Sequence, residues 1–487
     1  MYDSTIFQYR LLCEPTGNLN GGVMSRKKKQ APGQDKAGDV SGSRRRGKKR
    51  ASGLSLLGIS WEGVDTALVK RRLLTLAFIT ILMKVVVIFT TTSIFNIFYA
   101  GLRSNYYDNF DFQYYLQSIL NILHGQMPYV NFAFSYPPLA FIPISLAFIP
   151  AYIFNSFDTF VISFQILMVI CDIIIVVCVY LIGLKLYNEK TAFRAALLYA
   201  TAFAAAYFIL TKYDAFPTCI LMLAVLFAVC NKKIQGYLAI LVGFLAKIFP
   251  VIALPFVALY NARTTSIRQE ITSILKIWIP VIAVIFIPVL LLDPGIISSY
   301  VSANFVRSDI YVNTAIYTIY AYLHGILNLG ISVSTVSDVM YILMGLLLLT
   351  LLAIACIEPE KDTRFLVKLL AVSIFVVVFC MNYNSPQYIV WFTPFVCLLV
   401  ADSLYGIIIF YATQVITYIE FPLAFGPLYI NGSYAGSIGT SWWYLTLGFF
   451  TLNAVAYLLL IYWAVKPSGR HLKMLMERIS ARYVKRA

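Results

Sequence analysis

Residues 105–138 read NYYDNFDFQYYLQSILNILHGQMPYVNFAFSYPP, the most polar and turn-rich stretch of an otherwise apolar chain. It follows the first long apolar run, so its place relative to the membrane decides the topology. Asp108 and Asp111 stand at its head. The spacing predicts an amphipathic helix over about residues 112–123, ending at His124-Gly125, where glycine suits a C-cap. Pro128, Pro137 and Pro138 then set the path of the following turns, because proline locks φ and cannot continue a helix.

Working outward, the composition places the chain in lipid. Of 487 residues, 60% are hydrophobic and only 12% charged, with a mean hydropathy of +0.78. Soluble domains carry about twice that charged fraction. Many apolar runs approach or exceed the ~18 residues that can span a bilayer as a helix. They are continuous rather than alternating, as barrel strands would be, so helices must satisfy the backbone. The eight cysteines form no C-x-x-C and mostly lie in apolar runs, which reads as small core residues with no disulfide framework or zinc site.

The net charge of +16 is nearly all terminal: +9 falls on residues 1–72 and +6 on residues 466–487. K-K-K at 27–29 and R-R-R-G-K-K-R at 44–50 suit anionic lipid beside membrane spans better than nucleic acid. Residues 1–52 are expected to be a disordered basic cytoplasmic tail, since they hold few large apolar side chains. The first long apolar run begins near Leu73, too late for a secretory signal. Residues 53–72 form a juxtamembrane segment in which 53–68 suit a short interfacial helix, and 466–487 form a second basic cytoplasmic tail.

Between the tails, residues 73–465 are expected to be all-α and polytopic, with about twelve transmembrane helices and external amphipathic helices. The spans fall near 73–98, 159–184, 195–211, 215–231, 235–246, 248–262, 276–292, 337–357, 365–381, 387–401, 403–420 and 442–465. External loops cover about 99–158 and 293–336, with 139–154 lying along the membrane rather than crossing it. That arrangement puts Lys185, Lys190 and Arg194, then Lys232 and Lys233, then Arg263, Arg268 and Lys276, then Lys361, Arg364 and Lys368 on the cytoplasmic side with both termini. Lys84, inside the first span, needs a partner or an interior face. Asp172 and Asp402 are candidates to pair with it or with a neighbouring helix.

D-F-x-Y-Y from Asp111, G-x-x-P-Y from Gly125 and Y-P-P from Tyr136 resemble the first external loop of the C-type, polyprenyl-phosphate-dependent glycosyltransferases. The chain is most similar to their family 87 mannosyltransferase-like members. Tyr213-Asp214-Ala215-Phe216-Pro217, Ala246-Lys247-Ile248-Phe249-Pro250 and Ser385-Pro386-Gln387-Tyr388 fit the same family in the same order. The resemblance implies transfer of a hexose, by family mannose, from a polyprenyl or dolichyl phosphate carrier to a glycan or glycolipid on the outer face of the plasma membrane. It implies no bound cofactor, and the residues do not demand a divalent metal.

The same resemblance makes Asp111 the catalytic base of an inverting single displacement. It puts Asp108, Tyr115, Tyr136, Asp214, Lys247, Arg307, His324, Gln387 and Tyr388 around the substrates. Five of them have a plainer reading. Asp108, Asp111 and Asp214 suit helix caps, Lys247 can snorkel to headgroups, and an external His324 is ordinary surface. The phosphate reading of Lys247 rests on its standing as a cation in a nearly charge-free segment. Some relatives carry paired histidines near the S-P-Q-Y step; this chain has none there, which counts against a histidine-assisted mechanism and leaves Gln387 and Tyr388 to hydrogen-bond sugar or phosphate. Asn431-Gly432-Ser433 is a glycosylation sequon in an expected external loop. The competing function class is a lipid-linked sugar transporter or flippase, whose ionisable residues gather near the bilayer midplane rather than at one face.

Overall fold

The computed structural model describes residues 54–56, 59–61, 65–98, 110–296, 298, 300, 310–358, 360–424, 428 and 438–466. Asp108, Arg307, the sequon at 431–433 and nearly all of both basic tails lie outside the described residues. Before the first helix, Leu54–Leu56 (β1) and Ile59–Trp61 (β2) pair antiparallel, with Leu56 opposite Ile59. The expected interfacial helix over 53–68 is therefore corrected. Ile59 and Trp61 are residue types that favour strand. The helix starts only where Asp65 accepts from the Ala67 amide (2.9 Å), an N-cap.

From there the described chain is helical. In order come α1 (Thr66–Phe98), α2 (Phe110–Leu123), α3 (Phe141–Phe154), α4 (Phe157–Leu186), α5 (Glu189–Ala200), α6 (Phe203–Thr211), α7 (Ala215–Val229) and α8 (Lys233–Ala246). They are followed by α9 (Ala253–Asn261), α10 (Ile267–Leu292), α11 (Ala315–Tyr320), α12 (Val333–Ile357), α13 (Thr363–Cys380), α14 (Ile389–Val400), α15 (Leu404–Tyr418) and α16 (Ser441–Val465). Among the described residues, seven helical segments are long and apolar enough to cross a membrane: six within α1, α4, α10, α12, α13 and α16, and one that runs from α15 on to Leu423. Counting the bent α5–α6 pair as one span makes eight. Shorter apolar helices, α3, α7, α8, α9 and α14 among them, fill the remaining length.

The helix expected over 112–123 is present as α2, and Gly125 takes φ +78° just beyond it, as a C-capping glycine does. Its buried residues Phe112, Tyr115, Leu116 and Ile119 form one face. That face docks on α4, where Phe164 meets Phe112 edge-on at 5.5 Å and stacks with Tyr115 at 5.4 Å. The span expected over 195–211 is instead broken at Thr201-Ala202 with a 54° bend. Gln414 of α15 accepts from the Ala204 (3.1 Å) and Ala205 (3.4 Å) amides, satisfying α6's free N-terminal donors.

Lys84 finds its partner in Asp172. Both are buried, and Asp172 also accepts from the Tyr199 hydroxyl at 2.8 Å. Asp402 pairs with Arg364 (3.2 Å) on a more exposed rim. By contrast, α10 and α12 leave most of their apolar surface uncovered: Val284 is 75% exposed and Ile357 79%. Such surface suits lipid rather than water.

Candidate active site

Three helix interruptions and one loop meet at a single polar spot. The first is Lys212-Tyr213-Asp214, between α6 and α7. The second is Lys247, where α8 stops and a 3-10 turn, Phe249–Ile252, begins. The third is the 3-10 turn Pro386–Tyr388 that starts α14. Prolines 217, 250 and 386 follow or occupy these breaks, so side chains before them leave the helical register. The loop is 124–138. Its Tyr129, held at φ +68°, donates to the Tyr136 carbonyl (2.5 Å), while the Ser135 amide donates to the Tyr114 hydroxyl (2.8 Å).

At the centre, Lys247 Nζ donates to Asp214 Oδ1 at 2.6 Å. Trp391 Nε1 donates to the same oxygen. Asp214 is fully buried, and its Oδ2 has no hydrogen-bond partner among the described residues. Asp214 stands at the start of α7 but its side chain caps nothing there, so the capping reading is set aside. Four rings surround the ammonium: Tyr213 and Trp391 at 5.0 Å, Tyr388 at 5.4 Å and Tyr136 at 5.7 Å from their centroids. The cage is itself braced. Phe249 stacks flat on Trp391 at 4.2 Å, Tyr388 packs on Trp391 at 3.9 Å, and the Tyr213 hydroxyl donates to the Ala246 carbonyl at 2.7 Å.

Lys247 thus has a counter-ion within the chain. The argument for phosphate from its lack of an anion is corrected, and snorkelling alone does not describe it either. An unpaired lysine here would be expensive, and Asp214 removes that expense without a ligand.

Beside this pair lies a second. Lys212 Nζ stands 2.9 Å from Asp111 Oδ2, with the two side chains 8% and 16% exposed. The charge of Asp111 and that of Lys212 are both felt at Lys247. Tyr115 and Tyr136 lie between the pairs, each under the influence of both carboxylates. Burial first, then Tyr136 and Asp111, pushes the Tyr115 phenol well up. Burial and then Asp111 do the same for Tyr136. Both rings therefore stay protonated at ordinary pH.

The structure accordingly gathers Asp111, Tyr115, Tyr136, Asp214, Lys247 and Tyr388. Gln387 is buried in the same turn as Tyr388. His324 does not join them. It sits in a π turn, Ala321–Ile326, stacked on Tyr320 at 5.1 Å in a region packed around Trp443. Lys212 and Trp391 join the site with no sequence signal beyond position, within three residues of Asp214 and Tyr388, while Tyr213 opens the motif that holds Asp214.

No protein-family model matches the chain, and no curated protein matches it.

Proposed function

We propose that this chain is a membrane glycosyltransferase. It would take a hexose, by resemblance mannose, from a polyprenyl- or dolichyl-phosphate carrier to a glycan or glycolipid acceptor. The observation that supports it is the convergence of two carboxylates and two ammoniums, walled by tyrosine and tryptophan, from four stretches widely separated in sequence. Catalytic groups must meet at one substrate, and these stand in two ion pairs near enough to feel one another's charge.

In this reading Asp111 removes the proton from the acceptor hydroxyl as its oxygen attacks the anomeric carbon. The bond from that carbon to the phosphate oxygen breaks on the opposite side, inverting the centre, and the electron pair leaves with the phosphate. Lys247 stabilises that developing charge, Asp214 and Trp391 hold it in place, and the aromatic faces cover the sugar. Asp111 is the more exposed of the two carboxylates, so the acceptor enters past it. The topology that goes with this reading has about twelve crossings, both basic termini cytoplasmic and the site facing outward from the plasma membrane.

One observation favours the transporter reading. The Lys84–Asp172 pair lies near the middle of two candidate spans, where transporters keep ionisable groups. The deciding experiment uses purified protein, polyprenyl-phosphate-mannose and a panel of glycolipid acceptors, with Asp111→Asn as the comparison. Transfer by wild type that the variant loses while still binding donor supports the enzyme. Equal transfer by both removes Asp111 from the chemistry. No transfer from protein that binds the carrier turns the assignment to the transporter.

A further inference from the structure

The turn that carries Tyr388 is reached through a stretch with no helix of its own. α13 ends at Cys380, and residues 381–385 lead from it into the Pro386–Tyr388 turn. Backbone groups outside helices must find their partners elsewhere. Two carbonyls of this stretch find them in the segment before α11: Asn382 accepts from the Tyr311 amide at 3.1 Å, and Asn384 from Asn313 Nδ2 at 2.8 Å. Tyr311 also meets the Tyr383 ring edge-on at 4.3 Å, and the Tyr341 hydroxyl donates to Asn382 Oδ1 at 2.7 Å. Four residues beyond Asn384, Tyr388 packs on Trp391 and faces the Lys247 ammonium.

Asn313 is buried, and both hydrogens of its amide nitrogen are in use. One goes to Asn384, the other to Glu420 Oε1 at 2.9 Å. Glu420 is itself buried, in the π turn that follows α15, and its Oε2 accepts from Asn453 Nδ2 of α16 at 2.5 Å. A carboxylate accepts at both oxygens, so it dictates which end of each amide faces it. Turned over, Asn313 would set its own carbonyl oxygen against Glu420 and against the Asn384 carbonyl. Glu420 therefore fixes the one orientation in which Asn313 can hold the stretch. Asn313 Oδ1 and Asn453 Oδ1 are left buried with no hydrogen-bond partner among the described residues, so the nitrogens alone orient these amides.

We propose that Asn313 is a positioning residue for the Pro386–Tyr388 turn: oriented by Glu420, it fastens Asn384 and so sets Tyr388 and Trp391 around Lys247. That placement holds whatever the reaction. Its consequence rests on the glycosyltransferase reading above, in which these rings cover the sugar. Loosening the turn then weakens the hold on the sugar more than the hold on the phosphate, because Lys247 has its own anchor in Asp214.

Two variants isolate the bond to Asn384. Glu420→Gln keeps it: the new carbonyl accepts from Asn313, and the new amide donates to Asn453 Oδ1 once that side chain turns over. Asn313→Asp/Glu420→Gln removes it: the glutamine amide donates to the new carboxylate and its carbonyl accepts from Asn453. Net charge and the bonds around position 420 then stay as in wild type, while the side chain at 313 no longer donates to Asn384. Hydrogen exchange is read on peptides covering 385–391, where the Tyr388 amide donates to the Ser385 carbonyl. It runs about tenfold or more faster in the double variant than in Glu420→Gln, with equal exchange over 415–423 and 450–457. Binding of polyprenyl phosphate and of polyprenyl-phosphate-mannose is read beside it. The double variant loses most of the affinity that mannose adds and keeps its affinity for the bare carrier within about twofold. Equal exchange over 385–391 in the two variants overturns the inference, since Asn313 then only fills its place. So does exchange that rises as much around 420 and 453, which marks general loosening. Faster exchange confined to 385–391, with mannose adding as much affinity as before or none even in wild type, supports the positioning and counts against the sugar-covering rings of the glycosyltransferase reading. If the double variant does not fold, Asn313→Ala/Glu420→Gln takes its place and is judged by the same comparison.

Discussion

Asp214 and Lys247 are stable inside the protein only because each has the other. Asp214→Asn leaves the ammonium buried among rings without its hydrogen-bonded carboxylate, and losing one member of such a pair costs about 3–5 kcal/mol. A thermal melt in detergent should show a clear loss for Asp214→Asn and a smaller one for Asp214→Asn/Lys247→Gln. Equal losses for the two would mean that the pair's charges are not coupled. The sequence made Asp214 and Lys247 visible because each is a charge beside a proline in an apolar run. It did not show their pairing. Lys212 stands two residues from Asp214, yet the ion pairs run crosswise, Lys212 with Asp111 and Lys247 with Asp214. Residues that close together do not face one another at a helix end, so proximity along the chain misleads. Asp108 and Arg307 lie outside the described residues and add nothing to this comparison.

Helix breaks place these side chains, and some breaks are easier to read than others. Phe249-Pro250 and Ser385-Pro386 announce theirs through proline. The α5–α6 bend has no such mark. Thr201-Ala202-Phe203 looks helical, and the interruption depends on Gln414, about two hundred residues on, which no local pattern reports. The strand pair 54–56 and 59–61 is hard to read for a different reason: three-residue strands are too short for period alone to separate strand from helix. The break at Lys247 has a tight support. A Cβ on Gly243 would sit 3.0 Å from Pro250 Cβ and 3.2 Å from its Cγ, and a proline ring cannot swing aside. Gly243→Ala gains about 1 kcal/mol of helix propensity and meets overpacking of about 1–3 kcal/mol. The expected net loss is about 0–2 kcal/mol in the melt, together with weaker polyprenyl phosphate binding as the Phe249–Ile252 turn shifts. A stabilised variant with unchanged binding would show that the turn gives way without moving Lys247.

Across the whole molecule, polar groups sort to two ends of the same helices. α14 carries Trp391 in its first turn at the site and ends at Val400, about 14 Å further on at 1.5 Å per residue. Around that far end the Tyr187 hydroxyl donates to Leu398, Arg194 to Ala401, Arg364 to Asp402 and Lys368 to Val465. Two of the basic turns expected on one side, 185–194 and 361–368, thus bond to the 401–402 turn, at the end of α14 away from Trp391. Between the ends, Lys84 and Asp172 link α1 to α4. Lys84→Met alone should destabilise by about 3–5 kcal/mol, and Lys84→Met/Asp172→Asn by much less, measured by the same melt. If the basic end is cytoplasmic, the site faces outward, and two exposed positions report it. In a cysteine-depleted background, His124→Cys lies just past α2 beside the site loop, and Lys190→Cys lies in the first turn of α5 at the basic end. A membrane-impermeant maleimide on intact cells should label the first at once and the second only after permeabilisation. The reverse pattern would put Asp111 and Lys247 on the cytoplasmic side, where the acceptor and the sugar carrier would have to be sought instead.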